Sequence, residues 1–144
     1  MRQILYTLLI LATIFSCRKK EISTEIGAYA ECDTFTKLSE SATISKLIGT
    51  WIWVRRSCYW NPKVVPADKN AVVTFNADKS FSVVEDGITL TQGTWKLKTD
   101  SRVWELDLSK ENRYLYGYIT FCNTNEVSFD NTATDACKFT FVKK

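Results

Sequence analysis

From Thr50 onwards, apolar and polar side chains alternate with a period of two, in short runs separated by turn-forming residues. That pattern belongs to strands with one buried face, and it is incompatible with helices, whose period is 3.6 residues. Eight such runs can be marked: residues 50–57, 71–76, 80–85, 88–97, 103–108, 113–122, 126–130 and 138–142. Turn chemistry separates them at Ala77-Asp78-Lys79, Asp86-Gly87, the polar stretch 109–112 and Asn123-Thr124-Asn125. A longer connection carrying Asn61-Pro62 and Pro66 joins the first two runs. No stretch beyond residue 50 has helical periodicity, which excludes a parallel βαβ architecture. Ahead of the strands, residues 37–48 place Leu38, Ile44, Leu47 and Ile48 near one helical face. Ser39 or Ser41 is positioned to cap that helix and Gly49 to end it.

The alternation also predicts which side chains share an interior. Trp51 and Trp53 fall on one face of the first run, Phe81 and Val83 on one face of the third, and Trp95 and Leu97 on one face of the fourth. Trp104, Leu106 and Leu108 follow on the fifth, Val127 and Phe129 on the seventh, Phe139 and Phe141 on the eighth. The sixth run is ambiguous, with Tyr114, Tyr116 and Tyr118 on one face and Leu115, Ile119 and Phe121 on the other. Each aromatic ring buries about 150–250 Å², so this collection is first of all a core. An eight-stranded barrel is just wide enough for side chains to fill it, or for one small ligand.

The first residues have a separate purpose. Met1-Arg2-Gln3 is a short basic start, residues 4–15 are uncharged and apolar, and Ser16 is a small residue before Cys17. This is the layout of a secretory signal, and the apolar run falls short of the roughly 20 residues a membrane span needs. Ile14-Phe15-Ser16-Cys17 resembles the lipobox of bacterial lipoproteins, which implies cleavage before Cys17 and acylation of its sulfur. Acyl chains contribute about 0.8 kcal/mol per buried CH₂, so two or more hold a chain firmly. The chain therefore divides into a signal peptide (1–16), a lipidated N-terminus and tether (17–36) and a barrel domain (37–144). The expected location is the cell envelope, lipid-anchored. Arg18 after the cysteine differs from an aspartate-type inner-membrane retention signal and favours the outer membrane.

Charge and composition narrow the function. Of the 144 residues, 19 are basic and 16 acidic; only Arg2 is lost with the signal, leaving a near-even balance. Without a clustered basic face, nucleic-acid binding is not expected. Arg18-Lys19-Lys20 either meets anionic head groups or is a solvated tether. The chain has no histidine, which removes Ser-His-Asp and Cys-His nucleophile systems and the usual imidazole metal sites. No two carboxylates are paired by the pattern: Glu85, Glu105 and Asp107 are expected on the surface, which disfavours glycosidase chemistry. An enzyme is not expected, nor a cofactor. Beyond Cys17 there are four cysteines, Cys32, Cys58, Cys122 and Cys137. An even count in an exported chain indicates disulfides rather than a metal site, since no CxxC spacing occurs.

The order of a short helix, then Gly49-Thr50-Trp51, then antiparallel strands resembles the lipocalin and fatty-acid-binding superfamily, whose first strand opens on Gly-x-Trp. More closely, Leu47-Ile48-Gly49-Thr50-Trp51-Ile52-Trp53-Val54 is similar to the start of lipocalin-like domains in lipoproteins of Bacteroidota. The Phe-Asn-Ala-Asp-Lys-Ser-Phe stretch at 75–81 and the Cys-x-Phe-x-Phe strand at 137–141 match in kind. The resemblance implies an all-β, antiparallel up-and-down eight-stranded barrel preceded by a short helix. It also implies that Gly49 and Trp51 close one end, with Lys143 or Lys144 over the tryptophan, and that the barrel holds a small apolar or amphipathic ligand. In such a meander, strand one ends where strand eight begins, so Cys58 pairs with Cys137 and Cys122 with Cys32.

Ligand-facing candidates follow from that implied barrel: Trp53, Arg55, Phe81, Trp95, Trp104 and Tyr116. Arg55 continues the alternation of Trp51 and Trp53 and either points into the mouth over aromatic rings or is solvated like Arg56, the second reading being favoured. Trp60 is either a lid or rim packing. The tyrosines of the sixth run either orient a ligand or face outwards to a partner. The competing function is an envelope structural or protein-interaction lipoprotein with a fully packed barrel and no ligand.

Overall fold

A computed structural model describes residues 37–100, 102–134 and 136–144. Helix α1 spans Glu40–Leu47 and is capped by Ser39, whose hydroxyl accepts from the Ala42 amide at 3.3 Å. It is shorter than the expected 37–48 because its leading residues serve the barrel instead. The Leu38 carbonyl accepts the Trp104 indole N–H at 2.8 Å, and the Lys37 ammonium lies 4.6 Å over the Trp104 ring. Gly49 follows the C-cap directly, as expected of the residue that ends the helix. Ile48 is the C-cap, and Gly49, at φ 131°, opens the first strand.

Nine strands follow: β1 (Gly49–Cys58), β2 (Asn61–Pro66), β3 (Ala71–Phe75), β4 (Ser80–Glu85), β5 (Ile88–Asp100), β6 (Val103–Leu108), β7 (Tyr118–Asn123), β8 (Glu126–Asp130) and β9 (Cys137–Lys143). All neighbours are antiparallel, and β9 returns to pair with β1 from Trp51↔Lys143 to Cys58↔Cys137. Eight strands thus close an up-and-down barrel, as the resemblance implied; the strand pattern by itself fitted a barrel or a sandwich. The ninth, β2, comes from the Pro-containing connection that was expected to be a loop. It pairs only with the far half of β1, where β3 has already left that edge. Its Val64 and Val65 are half-buried, which is why the segment folds back as a strand despite two prolines.

Three other segments depart from the pattern. β5 runs on to Asp100, because residues 98–100 pair with β6 rather than turning. The sixth expected run, 113–122, is a strand only from Tyr118; residues 109–117 form a loop, so no row of tyrosines exists. The seam there is thin, since β6 and β7 share a single paired position, Glu105↔Tyr118. Finally, β1 carries a bulge between Trp53 and Arg55. An extra residue in one strand shifts every later side chain to the opposite face.

The interior is aromatic. Trp51, Phe75, Phe81, Phe129 and Phe141 are buried with Val73, Val83 and Val127. The ring of Phe75 lies 5.4 Å from Trp95 and 6.3 Å from Phe129, and Phe129 lies 5.8 Å from Phe141. Edge-on and tilted arrangements of this kind add to what the buried area supplies.

Candidate functional site: a plugged mouth and an aromatic rim

The two rims of the barrel are built differently. At the rim where β1 starts and β9 ends, α1 sits against the wall. The Trp51 indole donates to the Leu47 carbonyl at 2.7 Å. Lys143 places its ammonium 5.1 Å over the Trp51 ring and donates to the Lys46 carbonyl at 3.2 Å. Gly49 lies under the same lysine, with room for a Cβ only 3.0 Å from Lys143 Cε. Helix, glycine, tryptophan and lysine together cover this end.

The opposite rim is where a ligand would enter, and the loop 109–117 occupies it. Asn112 is buried; its side-chain amide donates to Thr91 Oγ1 at 2.9 Å, and its carbonyl oxygen accepts the Tyr114 amide at 3.0 Å. This turns Tyr114 inwards. Its ring lies 5.2 Å from Trp53, 5.3 Å from Phe139 and 6.3 Å from Phe141, and Leu115 is buried beside it. The phenol hydroxyl donates to Glu85. Arg113 binds the same carboxylate and stacks its guanidinium 4.9 Å from the Tyr114 ring. Lys69 stands 3.8 Å from Glu85 and 3.3 Å from Asp86.

The electrostatics follow from those contacts. The Tyr114 hydroxyl bond, aided by Arg113, holds the Glu85 carboxyl below its ordinary value. Burial, and then the bond to Glu85, pushes the Tyr114 phenol up, so it remains a neutral donor. The cluster latches the loop in place, and every charge in it has an opposite partner. It leaves no unpaired nucleophile or base.

The ligand-facing candidates do not converge. Trp53, Phe81 and Trp95 are buried in the core, Trp53 giving its indole N–H to the Arg55 carbonyl at 2.8 Å. Arg55 pairs in register with Thr140, while Arg56 pairs with Phe139. Cross-strand partners share a face, so the bulge directs Arg55 to the outer wall, where it forms an ion pair with Glu126. Arg56 takes the inner face, with its guanidinium 6.0 Å from the Trp53 ring and 3.5 Å from Asp68. Trp104 belongs to the helix-covered end, and Tyr116 is exposed on the plugging loop. Cys58 and Cys137 form a disulfide at the plugged rim. Cys122 is disulfide-bonded too; its expected partner Cys32, like the lipid-bearing Cys17, lies outside the described residues.

The remaining feature is a set of exposed apolar side chains at the plugged rim. Tyr59 and Trp60 form the tip of the β1–β2 hairpin at 66% and 67% exposure, braced by the disulfide and by the Tyr59 amide donating to the Ala136 carbonyl at 3.0 Å. Ile88 follows the β4–β5 turn, and Leu90 and Tyr116 are also exposed. The roles of Glu85 and Asn112 were not visible in the alternation. One signal in the sequence pointed their way: Asn112 lies in a stretch rich in turn formers, where a strand reading fails.

No family model and no curated protein matches this chain. Among solved structures it is similar to a DUF4847 family protein from Bacteroides vulgatus, with 16% sequence identity and a TM-score of 0.48, over 68% of this chain and 94% of that one.

Proposed function

We propose that this chain is a lipid-anchored envelope protein whose barrel displays a contact surface and holds no internal ligand. One observation carries that choice between the two functions weighed from the sequence: Tyr114 and Leu115 fill the mouth through which a ligand would enter. Behind them stand Trp53, Phe81 and Trp95. The small pocket at the β6–β7 seam has a volume of about 100 Å³, well short of the roughly 300 Å³ at which small-molecule sites begin. Rigid aromatic residues such as Tyr59 and Trp60 are the side chains that anchor protein contacts, because they bury large area at low entropic cost. The absence of histidine accords with a protein that is not an enzyme.

The anchor proposed at Cys17 fixes how the remaining sulfurs pair. Of five cysteines, Cys58 and Cys137 satisfy each other and Cys122 is bonded. Within one chain its partner is Cys32 or Cys17. An acylated Cys17 has no thiol to offer, so the lipoprotein reading assigns Cys32 to Cys122 and places the lipid on Cys17, with the outer membrane as destination. Non-reducing peptide mapping tests this directly: a Cys32–Cys122 peptide is expected, and a Cys17–Cys122 peptide would sink the anchor. For the display function, native mass spectrometry of protein purified from its host membrane is expected to show acylated chain alone. A stoichiometric small molecule that survives mild detergent would return the ligand-binding reading to first place.

A further inference from the structure

We infer that the helix-covered end of the barrel is seated on the anionic head groups of the membrane that holds its acyl chains. This rests on the anchor proposed above and adds which end of the barrel meets the lipid. In an up-and-down barrel the β3–β4, β5–β6 and β7–β8 turns share the end where β1 starts and β9 stops. Six cations gather there. Lys37 precedes α1, Lys46 lies within it, Lys79 and Arg102 stand on two of the turns, and Lys143 and Lys144 follow where β9 stops.

Four of these lysines are laid on aromatic rings from four different strands. Lys37 stands 4.6 Å over Trp104, Lys46 5.1 Å over Phe121, Lys79 4.2 Å over Trp95 and Lys143 5.1 Å over Trp51. A ring face holds an ammonium in place, yet it carries no net charge and leaves the positive charge uncancelled. Among the described residues, no carboxylate forms an ion pair with Lys46, Lys79 or Lys143. The plugged end is the reverse, with Arg56, Lys69, Arg113 and Lys138 matched to carboxylates. Apart from the matched pairs Lys98–Glu105 and Arg55–Glu126, the acids at the helix-covered end are Glu40, Asp78 and Asp100. Of these, Asp78 already accepts the Ser80 amide at 2.9 Å and its hydroxyl at 2.7 Å.

A spread of uncancelled cations is complementary to a surface of anions, and the route of the chain selects the bilayer as that surface. The chain reaches the barrel at this end, where Lys37 and Leu38 meet Trp104. Cys122, which the anchor reading joins to Cys32, is the next-to-last residue of β7 and lies at the same end. Fifteen residues then separate the lipid on Cys17 from a fixed point on the barrel. That length alone would let the barrel turn over, so charge decides which end faces the lipid. Each basic side chain held near an anionic surface strengthens binding about fivefold. The opposite rim, with Tyr59 and Trp60, then points away from the lipid, where a protein partner reaches it.

The test places the acylated, isotope-labelled chain in nanodiscs of phosphatidylcholine and phosphatidylglycerol in equal parts, with a gadolinium chelate on some head groups. Paramagnetic broadening is expected to concentrate on α1 and on residues 76–79 and 123–125, leaving residues 59–60 and 86–88 sharp. In phosphatidylcholine alone that contrast is expected to fade. Lys46→Gln, Lys79→Gln and Lys144→Gln together are expected to weaken the seated state at least about tenfold, evening out the broadening. Arginine at the same three positions keeps the charge and is expected to keep the contrast, which separates lost charge from a disturbed fold. Even broadening of the acylated wild-type chain overturns the proposal, as does a contrast that survives the glutamine variant or the loss of phosphatidylglycerol. Broadening centred on Tyr59 and Trp60 overturns it in favour of an aromatic foot in the interface. An intact mass without acyl groups overturns the anchor and the seating together, whereas even broadening of an acylated chain overturns the seating alone.

Discussion

Tyr114 shows how one side chain changes its place in the fold when an expected strand becomes a loop. Placed on a strand it would have been a surface phenol, or one member of a ligand-facing row. Held by Asn112 in a loop, it becomes part of the core and closes the mouth. Its bond to Glu85 also sets a pH dependence. Glu85 titrates lower in the folded protein than in the unfolded chain, so its contribution is full above the ordinary carboxylate value and is lost as pH falls through the depressed one. Tyr114→Phe removes the first cause of that depression. Acid unfolding followed by circular dichroism is expected to start at a higher pH in this variant; an unchanged acid midpoint would show that Arg113 alone sustains the shift. Tyr114 acts at the other extreme: its raised value means stability is lost as pH climbs from the ordinary phenol value through the raised one.

Among the elements, the loop 109–117 and the β1–β2 hairpin depend on covalent geometry more than on pattern. Gly117 ends the plug at φ 94°, and a Cβ there would run into the backbone of Asp130 and Asn131. Gly87 also has positive φ, 84°, but nothing lies within reach of its Cβ. Gly87→Ala is therefore expected to cost about 1 kcal/mol, the strain of the backbone conformation alone. Gly117→Ala is expected to cost about 3 kcal/mol or more, since β8 must move as well; urea denaturation of both variants separates the two effects. The hairpin tip is braced by Cys58–Cys137, whose ring spans a sequence separation of 79. Replacing both with alanine is expected to lower stability by up to about 4 kcal/mol in the chain-entropy account. It is also expected to loosen the hairpin tip that carries Tyr59 and Trp60, read as faster hydrogen exchange at those residues.

For the molecule as a whole, closure is strong on one side and thin on the other. β9 pairs with β1 along seven positions, whereas β6 and β7 share one. Local opening follows the weakest ladder, so hydrogen exchange is expected to be fastest at the β6–β7 seam and slowest at β1, β8 and β9. Uniform protection around the barrel would contradict this. The seam adjoins the loop 109–117, so the labile part of the fold lies beside the plug. The helix-covered end, by contrast, is tied by Trp51, Trp104 and Lys143.

The sequence alone determined the all-β class and most of the core, because burial of one face enforces a period of two that can be read directly. The closed barrel, as against a sandwich, was implied by the resemblance. Six of the eight strands lie close to where that period placed them, and Trp51, Trp53, Phe81 and Trp95 face the interior as predicted. Where the period is interrupted, local reading fails. The bulge beyond Trp53 reversed Arg55 and Arg56, and a buried asparagine converted the start of a strand into a plug. The extra strand β2 was hidden by its prolines, which are tolerated only because its outer edge stays unpaired. Bulges, plugs and free edges are settled by what neighbouring strands leave room for. Only the assembled tertiary structure contains that information, because it depends on contacts between residues far apart in the chain.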